Sequence, residues 1–361
     1  MNILFVSALE GGKYSGTLHS VPRQVEAQSK VDNIYWINLT NIDSSPLRNK
    51  EMYHYVPINK FSFNNLPAPF DKPDIVIFEE YFKVECCLIA RKCHRMKIPY
   101  VIVPRCQMTK QYFENKKIKK KIAGFLLFDF FAKKATAVHF LSEQERLDSQ
   151  GFYRGKNFIV ANGIDIPDAE IIHLSREYKQ GIFIGRYSVW QKGLDILIEA
   201  IATKKETLKQ NNIRFVLYGP NERTGNAEAI QKIVDKCQVS DLVEVNGPVF
   251  DEEKKRVLML ADFFVHTSRF EGMPMSVLEA LSYGVPCFVS QGSNMREIIE
   301  NNNAGWGTDG TVEAVANSLE VISTENTCWD EKRKNAQDLA KRYSWGQVAK
   351  ECHTHYKELL K

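Results

Sequence analysis

The sequence predicts two α/β domains, each built on a doubly wound parallel sheet with helices on both faces. Short apolar runs of strand length alternate along the whole chain with longer amphipathic stretches. The runs are too numerous for one open sheet of ordinary size, which favours two sheets. The apolar runs are 2–7, 33–39, 74–78, 99–103, 136–141, 157–161, 181–185, 213–218, 242–246, 262–266 and 286–290. The amphipathic stretches include 193–203, 225–238, 274–284 and 311–322.

The boundary between the domains is predicted at the turn-rich segment Asn-Gly-Ile-Asp-Ile-Pro-Asp, residues 162–168, near the middle of the chain. We therefore assign 1–168 to an N-terminal domain and 169–343 to a C-terminal domain, followed by a final helix over 344–361. The length of 361 residues supports this division, because a single hydrophobic core rarely serves so long a chain.

The composition is that of a soluble globular protein, with 44% hydrophobic and 25% charged residues. It excludes a disordered chain, a collagen-like repeat and a disulfide scaffold. The formal net charge of +4 is too small to indicate a nucleic-acid partner, and none is expected. The charge is unevenly placed, because residues 110–134 contain eight lysines against Glu114 and Asp129. That segment alone carries +6, which leaves −2 for the rest of the chain.

The basic segment 110–134 has two interpretations. Its apolar residues recur at helical spacing, and a basic amphipathic helix is typical of contact with a membrane surface. Alternatively, the helix buries its apolar face in the domain core and leaves its lysines in water. The sequence favours neither interpretation over the other. The residues at helical spacing are Ile118, Ile122, Phe125, Leu126 and Phe130.

Compartment and metal content are predicted from what the chain lacks. Residues 2–7 follow Met1 directly and indicate a buried strand, not a signal peptide, and no apolar run has the length of a membrane span. The eight cysteines form no C-x-x-C pair, so we expect reduced thiols in a cytoplasmic protein. If residues 110–134 bind lipid, the protein is expected to act at the inner face of the membrane. No D-x-D motif is present, so no metal or other cofactor is expected.

The loop after the first predicted strand contains Gly11, Gly12 and Gly16. Glycines let a backbone approach an anion closely, and a following helix offers N–H groups to a phosphate. The spacing is not G-x-G-x-x-G, so a dinucleotide fingerprint is not supported. A flexible turn explains the same residues equally well.

A second candidate loop, residues 185–193, follows the predicted strand 181–185 and contains Arg186 and Lys192. In open α/β sheets ligands bind beyond the carboxyl ends of the strands. An arginine and a lysine at that position can hold a diphosphate, whereas elsewhere they would be two solvated surface cations.

The strongest candidate is the loop and helix that begin at Glu271 and continue through Gly272, Met273 and Pro274 to Glu279. Proline suits the first turn of a helix, which places Glu271 just before the helix and Glu279 about 7.5 Å along its axis. Carboxylates accept hydrogen bonds from hydroxyls, and N–H groups at a helix start bind phosphate. The segment could hold a sugar, a diphosphate and a ribose together, or it could be a capped helix with an exposed glutamate.

Taken in order, these motifs resemble the retaining glycosyltransferases of family 4 (group 1 glycosyl transferases). The resemblance is dense from about 160 to 345 and looser over 1–160, where the glycine loop and residues 141–145 agree. The matching segments are 162–165, 185–193, 270–280, 284–286 and 297–305.

The resemblance implies a GT-B fold, in which two Rossmann-like domains face an inter-domain cleft. The C-terminal domain would bind a nucleotide diphosphate-sugar and the N-terminal domain an acceptor, with the final helix packing back on the N-terminal domain. Arg186 and Lys192 would contact the diphosphate, Glu271 the sugar hydroxyls and Glu279 the ribose. Further donor contacts would come from Gly12 or Gly16, from backbone near Val249 and Phe250, and from Gly272, Met273 and Pro274.

One departure from the family pattern lies after the run 99–103. Arg105 occupies the position where many relatives have histidine, and Cys106 replaces a glycine. Arginine stays protonated and cannot act as a base, but it can stabilise charge. The resemblance therefore implies an acceptor-side role for Arg105.

The implied reaction is hexosyl transfer with retention, in which the leaving phosphate oxygen takes the acceptor proton. Glu271, Arg186 and Lys192 would then be the catalytic residues, and stabilisation of the departing diphosphate the main source of catalysis. A glycan or lipid-linked acceptor, used in cell-surface polysaccharide synthesis, is expected. Two alternatives remain: other GT-B chemistry such as a sugar-nucleotide epimerase, and a non-catalytic nucleotide-sugar binding partner.

Overall fold

A computed structural model describes residues 1–10, 16–42, 50–110, 112, 121–167, 177–220, 226–325 and 329–361. The chain divides into two compact units. The first, the N-terminal domain, comprises Met1–Gly163 with Trp345–Lys361, and the second, the C-terminal domain, comprises Ile164–Ser344. The division falls at Gly163, within the turn-rich segment, whereas the sequence pattern predicted it after residue 168.

The N-terminal domain contains a seven-stranded parallel sheet in the order β3-β2-β1-β4-β5-β6-β7. Its central strands are buried on both faces, as their uninterrupted apolar sequences predict. The strands are β1 (Asn2–Ser7), β2 (Asn33–Asn38), β3 (Tyr53–Tyr55), β4 (Ile75–Glu79), β5 (Tyr100–Val103), β6 (Ala137–Phe140) and β7 (Asn157–Ile159). The edge strand β3 was not predicted, because it is only three residues long.

Among the described residues of the N-terminal domain, four α-helices connect these strands. In α4 the Ser142 hydroxyl accepts a hydrogen bond from the N–H of Glu145 at 3.1 Å, which is the expected helix cap. The helices are α1 (Gly16–Ser29), α2 (Val84–Met96), α3 (Lys121–Lys133) and α4 (Glu143–Asp148), with one-turn 3-10 helices at Lys50–Met52, Ile58–Lys60 and Phe63–Asn65.

The basic segment 110–134 is described only in part. Residues 111 and 113–120, which hold four of its lysines, lie outside the described residues, as do the side chains of 121–126. In the described half of α3, Phe131 is buried and its ring lies 5.2 Å from that of Phe78. Phe128 packs against Tyr81 at 5.5 Å. These aromatic side chains therefore belong to the domain core.

None of the helices in the described ranges has the length and apolarity that crossing a bilayer requires.

The C-terminal domain contains a six-stranded parallel sheet in the order β10-β9-β8-β11-β12-β13. Its last strand was not predicted, because two of its four residues are glycines. The strands are β8 (Lys179–Ile184), β9 (Ile213–Tyr218), β10 (Val243–Asn246), β11 (Phe263–His266), β12 (Cys287–Ser290) and β13 (Gly305–Thr308).

Four helices of the C-terminal domain, the second, fourth, sixth and eighth in chain order, match the predicted amphipathic stretches closely, and the others are additional. The helices of this domain are α5 (Val189–Lys192), α6 (Leu194–Thr203), α7 (Lys205–Gln210), α8 (Asn226–Lys236), α9 (Asp251–Leu260), α10 (Met275–Ser282), α11 (Arg296–Asn301), α12 (Val312–Thr324) and α13 (Trp329–Arg342), with a 3-10 turn at Gln291–Ser293. The final helix, α14 (Trp345–Leu359), belongs to the N-terminal domain. There His353 Nδ1 lies 2.9 Å from a carboxylate oxygen of Asp32.

The order of strands in the C-terminal sheet places two candidate loops side by side. β8 and β11 are neighbours, and both run in the same direction. The loop that leaves β8 therefore meets the loop that leaves β11 at the carboxyl edge of the sheet, where ligands of such sheets bind.

Candidate active site

The two neighbouring loops join in an ion pair between Lys192 and Glu271. Lys192 Nζ lies 2.5 Å from Glu271 Oε1, and both side chains are largely buried, at 11% and 15% exposed. Lys192 ends α5 after β8, and Glu271 follows β11. The two residues predicted to contact the diphosphate and the sugar thus lie together at the carboxyl edge of the sheet.

The backbone beside Lys192 is shaped by Gly193. This residue has a φ of +62°, and a Cβ added there would lie 2.0 Å from the carbonyl oxygen of Thr267. The Thr267 hydroxyl donates to the carbonyl of Gly193 at 3.0 Å. Only glycine permits this approach, which ties the end of α5 to the loop after β11.

Glu271 is held by groups from two directions. The Asn294 side-chain amide donates to the carbonyls of Glu271 and Gly272. The Ser268 hydroxyl donates to Glu271 Oε1 at 3.4 Å. Lys192 Nζ donates to the same oxygen, Oε1. Within the described part of the chain, Glu271 Oε2 has no protein donor. One carboxylate oxygen is therefore held by the protein while the other is available to a ligand.

Arg269 joins the two loops a second time. Its guanidinium makes two hydrogen bonds of 2.8 Å to the Asp195 carboxylate, a bidentate arrangement. It also donates to the carbonyl of Trp190 at 2.6 Å. Arg269 and Asp195 were not predicted from the sequence, because neither their spacing nor their residue types mark them as partners.

Arg186, the other predicted diphosphate ligand, has a different environment. It lies two residues after β8 and is exposed, and its guanidinium has no acceptor or carboxylate partner among the residues that the structure describes. Its backbone carbonyl accepts a hydrogen bond from the N–H of Ser188 at 2.8 Å. The two predicted cations therefore differ: Lys192 is already paired, whereas Arg186 is available for an anion.

The remaining predicted donor residues lie at the starts of α9 and α10. Pro274 precedes α10 as its cap, directly after Gly272 and the buried Met273. Glu279 is the fifth residue of α10, and its carboxylate lies 2.8 Å from Lys254 Nζ on α9. Phe250 precedes α9 in the same way, and Val249 beside it is buried.

A buried histidine, His266, lies below the ion pair at the end of β11. Its Nε2 is 3.0 Å from the Ser268 hydroxyl and 3.9 Å from Glu271 Oε1. Burial, aided by the charge of Lys192, holds the pKa of His266 well below its usual range, so the ring is neutral. Its other nitrogen, Nδ1, is buried and has no partner in the described chain.

In the N-terminal domain, Arg105 is committed to structure. Each of its N–H groups has an acceptor, so the guanidinium is saturated. The acceptors are Glu79 (through Nε and Nη2), Ser20 and Asn162 (through Nη1) and Gln24 (through Nη2), at 2.8 to 3.2 Å. An acceptor-side role for Arg105 remains a prediction, but this network shows its structural role.

The other N-terminal positions singled out by the sequence are Cys106 and the glycine loop. Cys106 has a φ of +66°, which explains why relatives with glycine fit the same turn. Its N–H donates to the buried carboxylate of Glu145 at 2.5 Å. Gly16 begins α1, and Gly12 lies outside the described residues.

Two glutamates at the end of β4 were not predicted from the sequence. Glu79 is fully buried, and burial raises the pKa of its carboxyl even though Arg105 opposes this. Glu80 has a φ of +86°, and burial raises its pKa to about 7 against the opposing charge of Lys83. Lys83 Nζ lies 3.8 Å from Glu80 and 3.0 Å from Glu10. Two adjacent glutamates after an apolar run were the only available signal.

No group of three or more His, Cys, Asp or Glu side chains that could bind a metal ion occurs in the described ranges.

The segment that contains this site is similar in sequence to known glycosyltransferases. Residues 168–343, just under half of the chain, match the family described as Glycosyl transferases group 1. The chain is 26% identical over 253 residues to a subunit of the phosphatidylinositol N-acetylglucosaminyltransferase of Arabidopsis thaliana, covering 67% of this chain and 52% of that protein. It is 24% identical over 211 residues to the GDP-mannose:cellobiosyl-diphosphopolyprenol alpha-mannosyltransferase of Xanthomonas oryzae pv. oryzae, covering 56% and 53%.

Among solved structures, the chain is similar to Anabaena HepE in complex with UDP and glucose. The TM-score is 0.75 at 17% identity, over 99% of this chain and 100% of that chain. This likeness confirms the predicted fold class, GT-B with two Rossmann-like domains. The chain spans about half the length, or less, of the curated relatives it matches. The candidate residues from Arg186 to Glu279 all fall within the matched range.

Proposed function

We propose that this chain is a retaining glycosyltransferase of family 4 that moves a hexose from a nucleotide diphosphate-sugar to a glycan or lipid-linked acceptor in cell-surface polysaccharide synthesis. The family match over 168–343 supports the reaction class. The named activities of the relatives, GlcNAc and mannose transfer among them, support a glycan product.

The observation that carries the proposal is the Lys192–Glu271 pair at the carboxyl ends of β8 and β11. Lys192 Nζ holds Glu271 Oε1 at 2.5 Å, which fixes the carboxylate and leaves Oε2 for a sugar hydroxyl. The exposed guanidinium of Arg186 follows the same strand and would take the diphosphate. A site that binds the departing charge stabilises the transition state of transfer.

The other donor contacts follow from the same edge of the sheet. Glu279 would accept hydrogen bonds from the ribose, and its Lys254 partner at 2.8 Å orients the carboxylate. Backbone around Val249 and Phe250 would contact the base. Gly272 and Met273, ahead of α10, would also contact the donor. No metal is expected in this scheme, because Arg186 and Lys192 supply the positive charge.

The N-terminal domain would bind the acceptor. For a lipid-linked acceptor, the lysines of 110–134 would bring the enzyme to an anionic membrane surface, on the cytoplasmic side. The described aromatic residues of α3 pack in the core, so this contact would depend on charge more than on insertion.

The proposal is tested with purified protein and UDP-, GDP- and dTDP-sugars. A thermal-shift screen identifies the donor, because a ligand well above its dissociation constant stabilises the folded chain. The selected donor is then incubated with acceptor glycans, with and without EDTA. We expect nucleotide release, a product whose anomeric configuration matches the donor, and no loss with EDTA.

The same experiment separates the alternatives. An epimerase would convert the donor into a second nucleotide-sugar without releasing nucleotide. A non-catalytic binder would give a thermal shift but no release. Inversion at the anomeric carbon would overturn the retaining mechanism. Absence of binding to every nucleotide-sugar would overturn the proposal as a whole.

A further inference from the structure

The residues beneath the ion pair form a chain of contacts that no motif predicted. His266 Nε2 lies 3.0 Å from the Ser268 hydroxyl, and that hydroxyl lies 3.4 Å from Glu271 Oε1. His266 and Ser268 are 0% and 1% exposed. Two groups therefore reach the Glu271 oxygen from inside the domain, Lys192 directly and His266 through Ser268.

The direction of the hydrogen bonds follows from the number of protons available and from the ring nitrogen that has no partner. The Ser268 hydroxyl has one proton, so it can donate to His266 or to Glu271 but not to both. If it donates to Glu271, His266 must carry its proton on Nε2 and donate to the serine oxygen. His266 Nδ1 then bears a lone pair. Nδ1 is the ring nitrogen that is buried without a partner in the described chain.

The opposite arrangement is less favourable. A proton on Nδ1 would leave a buried N–H without an acceptor, which costs more than an unused lone pair. It would also turn the serine proton away from a carboxylate, which is the stronger acceptor. A doubly protonated ring is opposed by burial and by the nearby Lys192 ammonium, which lower the pKa of His266 well below its usual range.

The rings around His266 hold it in this orientation. Phe183 on β8 and Phe264 on β11 lie with their rings 6.3 Å from the imidazole, nearly parallel to it. Ser290 Oγ donates to the carbonyl of Ser268 at 2.6 Å, which fixes the serine backbone. The chain of contacts is thus built on the ends of packed strands.

We propose that His266 and Ser268 are positioning residues, which act as a one-way relay from His266 Nε2–H through the Ser268 hydroxyl to Glu271 Oε1. The relay and Lys192 together occupy Oε1, so that Oε2 is presented to a hydroxyl of the hexose. This inference rests on the proposed function for the identity of the ligand. Neither residue touches the substrate, and the relay acts through Glu271.

The relay is tested first in the ligand-free protein. Nitrogen-15 NMR of imidazole resonances, with His266 assigned by its loss in His266→Phe, reports the tautomer. We expect an Nε2-protonated neutral ring in the wild type and an altered shift in Ser268→Ala. An Nδ1-protonated ring in the wild type would overturn the relay, whatever the protein catalyses.

The consequence for the ligand is tested by kinetics and binding. Ser268→Ala is expected to lower kcat/KM about ten- to hundredfold, the loss expected for a hydrogen bond to a charged group. Affinity for the nucleotide-sugar should fall while affinity for the free nucleotide diphosphate stays within about twofold, since only the sugar meets Glu271. Ser268→Thr, which keeps the hydroxyl, should restore most of the loss. Ser282→Ala is the control, because Ser282 is equally buried but donates to the Glu279 carbonyl on α10.

Coupling separates a relay from two independent structural roles. The losses of His266→Phe and Ser268→Ala should not add, because either change interrupts the same chain of bonds. Additive losses, or a Ser268→Ala effect no larger than that of Ser282→Ala, would overturn the proposal. A relay seen by NMR in a protein that transfers no sugar would instead overturn the proposed function and leave the relay intact.

Discussion

Lys192 Nζ lies 2.5 Å from Glu271 Oε1, although 79 positions separate the two residues in the chain. Among the residues described, Lys192 makes no second ion pair. Glu271 accepts one further side-chain hydrogen bond there, from the Ser268 hydroxyl at 3.4 Å. The pair joins the loop after β8 to the loop after β11. It therefore provides the charge that fixes a carboxylate at the carboxyl edge of the sheet.

Removing either member of the pair should abolish transfer without unfolding the protein. Lys192→Ala and Glu271→Ala are expected to lower kcat/KM by about a hundredfold or more, because each removes a preorganised charge. The matched controls are Lys204→Ala and Glu320→Ala, which break a pair of the same 2.5 Å separation on α12 and the end of α6. Circular dichroism checks the fold. Wild-type turnover in either site variant would contradict the assignment.

Arg186→Ala should weaken donor binding while leaving stability unchanged. The Arg186 side chain is exposed and makes no hydrogen bond or ion pair within the described part of the chain. Affinity for the nucleotide diphosphate should fall about tenfold or more, as expected for a charge-assisted contact to phosphate. Arg214→Ala is the control, since Arg214 is also exposed but lies near the amino end of β9. Equal effects of the two variants in a calorimetric titration would argue against a diphosphate contact.

Glu80→Gln should stabilise the protein increasingly as the pH rises. Burial raises the Glu80 pKa from 4.5 to about 7, so its ionisation in the folded state costs stability. Its favourable contribution is complete below pH 4.5 and is lost as the pH rises through about 7, a change of about 3 kcal/mol. Urea unfolding at pH 5 and pH 8 measures the difference. Glu10→Gln is the control, because it removes an exposed carboxylate from the same Lys83 but leaves Glu80 in place.

Gly193→Ala should destabilise the C-terminal domain and reduce activity together. A Cβ there meets the Thr267 carbonyl at 2.0 Å and must adopt a φ of +62°. We expect the free energy of unfolding to fall by about 2 kcal/mol or more, because the Cβ contact and the positive φ are both unfavourable for alanine. Gly346→Ala in α14 is the control, because its Cβ meets nothing within 4 Å and alanine favours a helix. A Gly193→Ala protein as stable as the wild type would refute the close approach.

The charge of 110–134 should govern any membrane contact. The chain is expected to cosediment with vesicles that contain anionic lipid at low salt and to be released by high salt. Replacing Lys116, Lys117, Lys119 and Lys120 with glutamine should remove binding. Replacing Lys133 and Lys134, at and beyond the end of α3, tests whether the position of the charge matters. Absence of binding at low salt would reject a membrane role for this segment.

Most elements of the fold were predictable because strand and helix patterns are local. Apolar runs and amphipathic stretches mark β1, β8, α6 and α12 within a few residues of their observed bounds. The pattern failed at β3 and β13, which are short or rich in glycine and gain their strand character by pairing with β2 and β12.

The side chains that contact Glu271 could not be predicted from the sequence. His266, Ser268 and Asn294 carry no motif of their own, and their contacts to Glu271 depend on how the loops after β11 and β12 fold. Arg105 shows the same limit, because its acceptors come from three separate segments of the N-terminal domain: α1, the end of β4 and the turn at Asn162.

Patterns of neighbouring residues were enough to predict two α/β domains and to put Lys192 and Glu271 on loops that follow strands. That these loops meet depends on the folded sheet, because β11 pairs with β8 although β9 and β10 come between them in the chain. The fold also decides which oxygen of Glu271 is held and which is available. Hydrogen bonds form between atoms that are close in space, and only the folded sheet brings these atoms together.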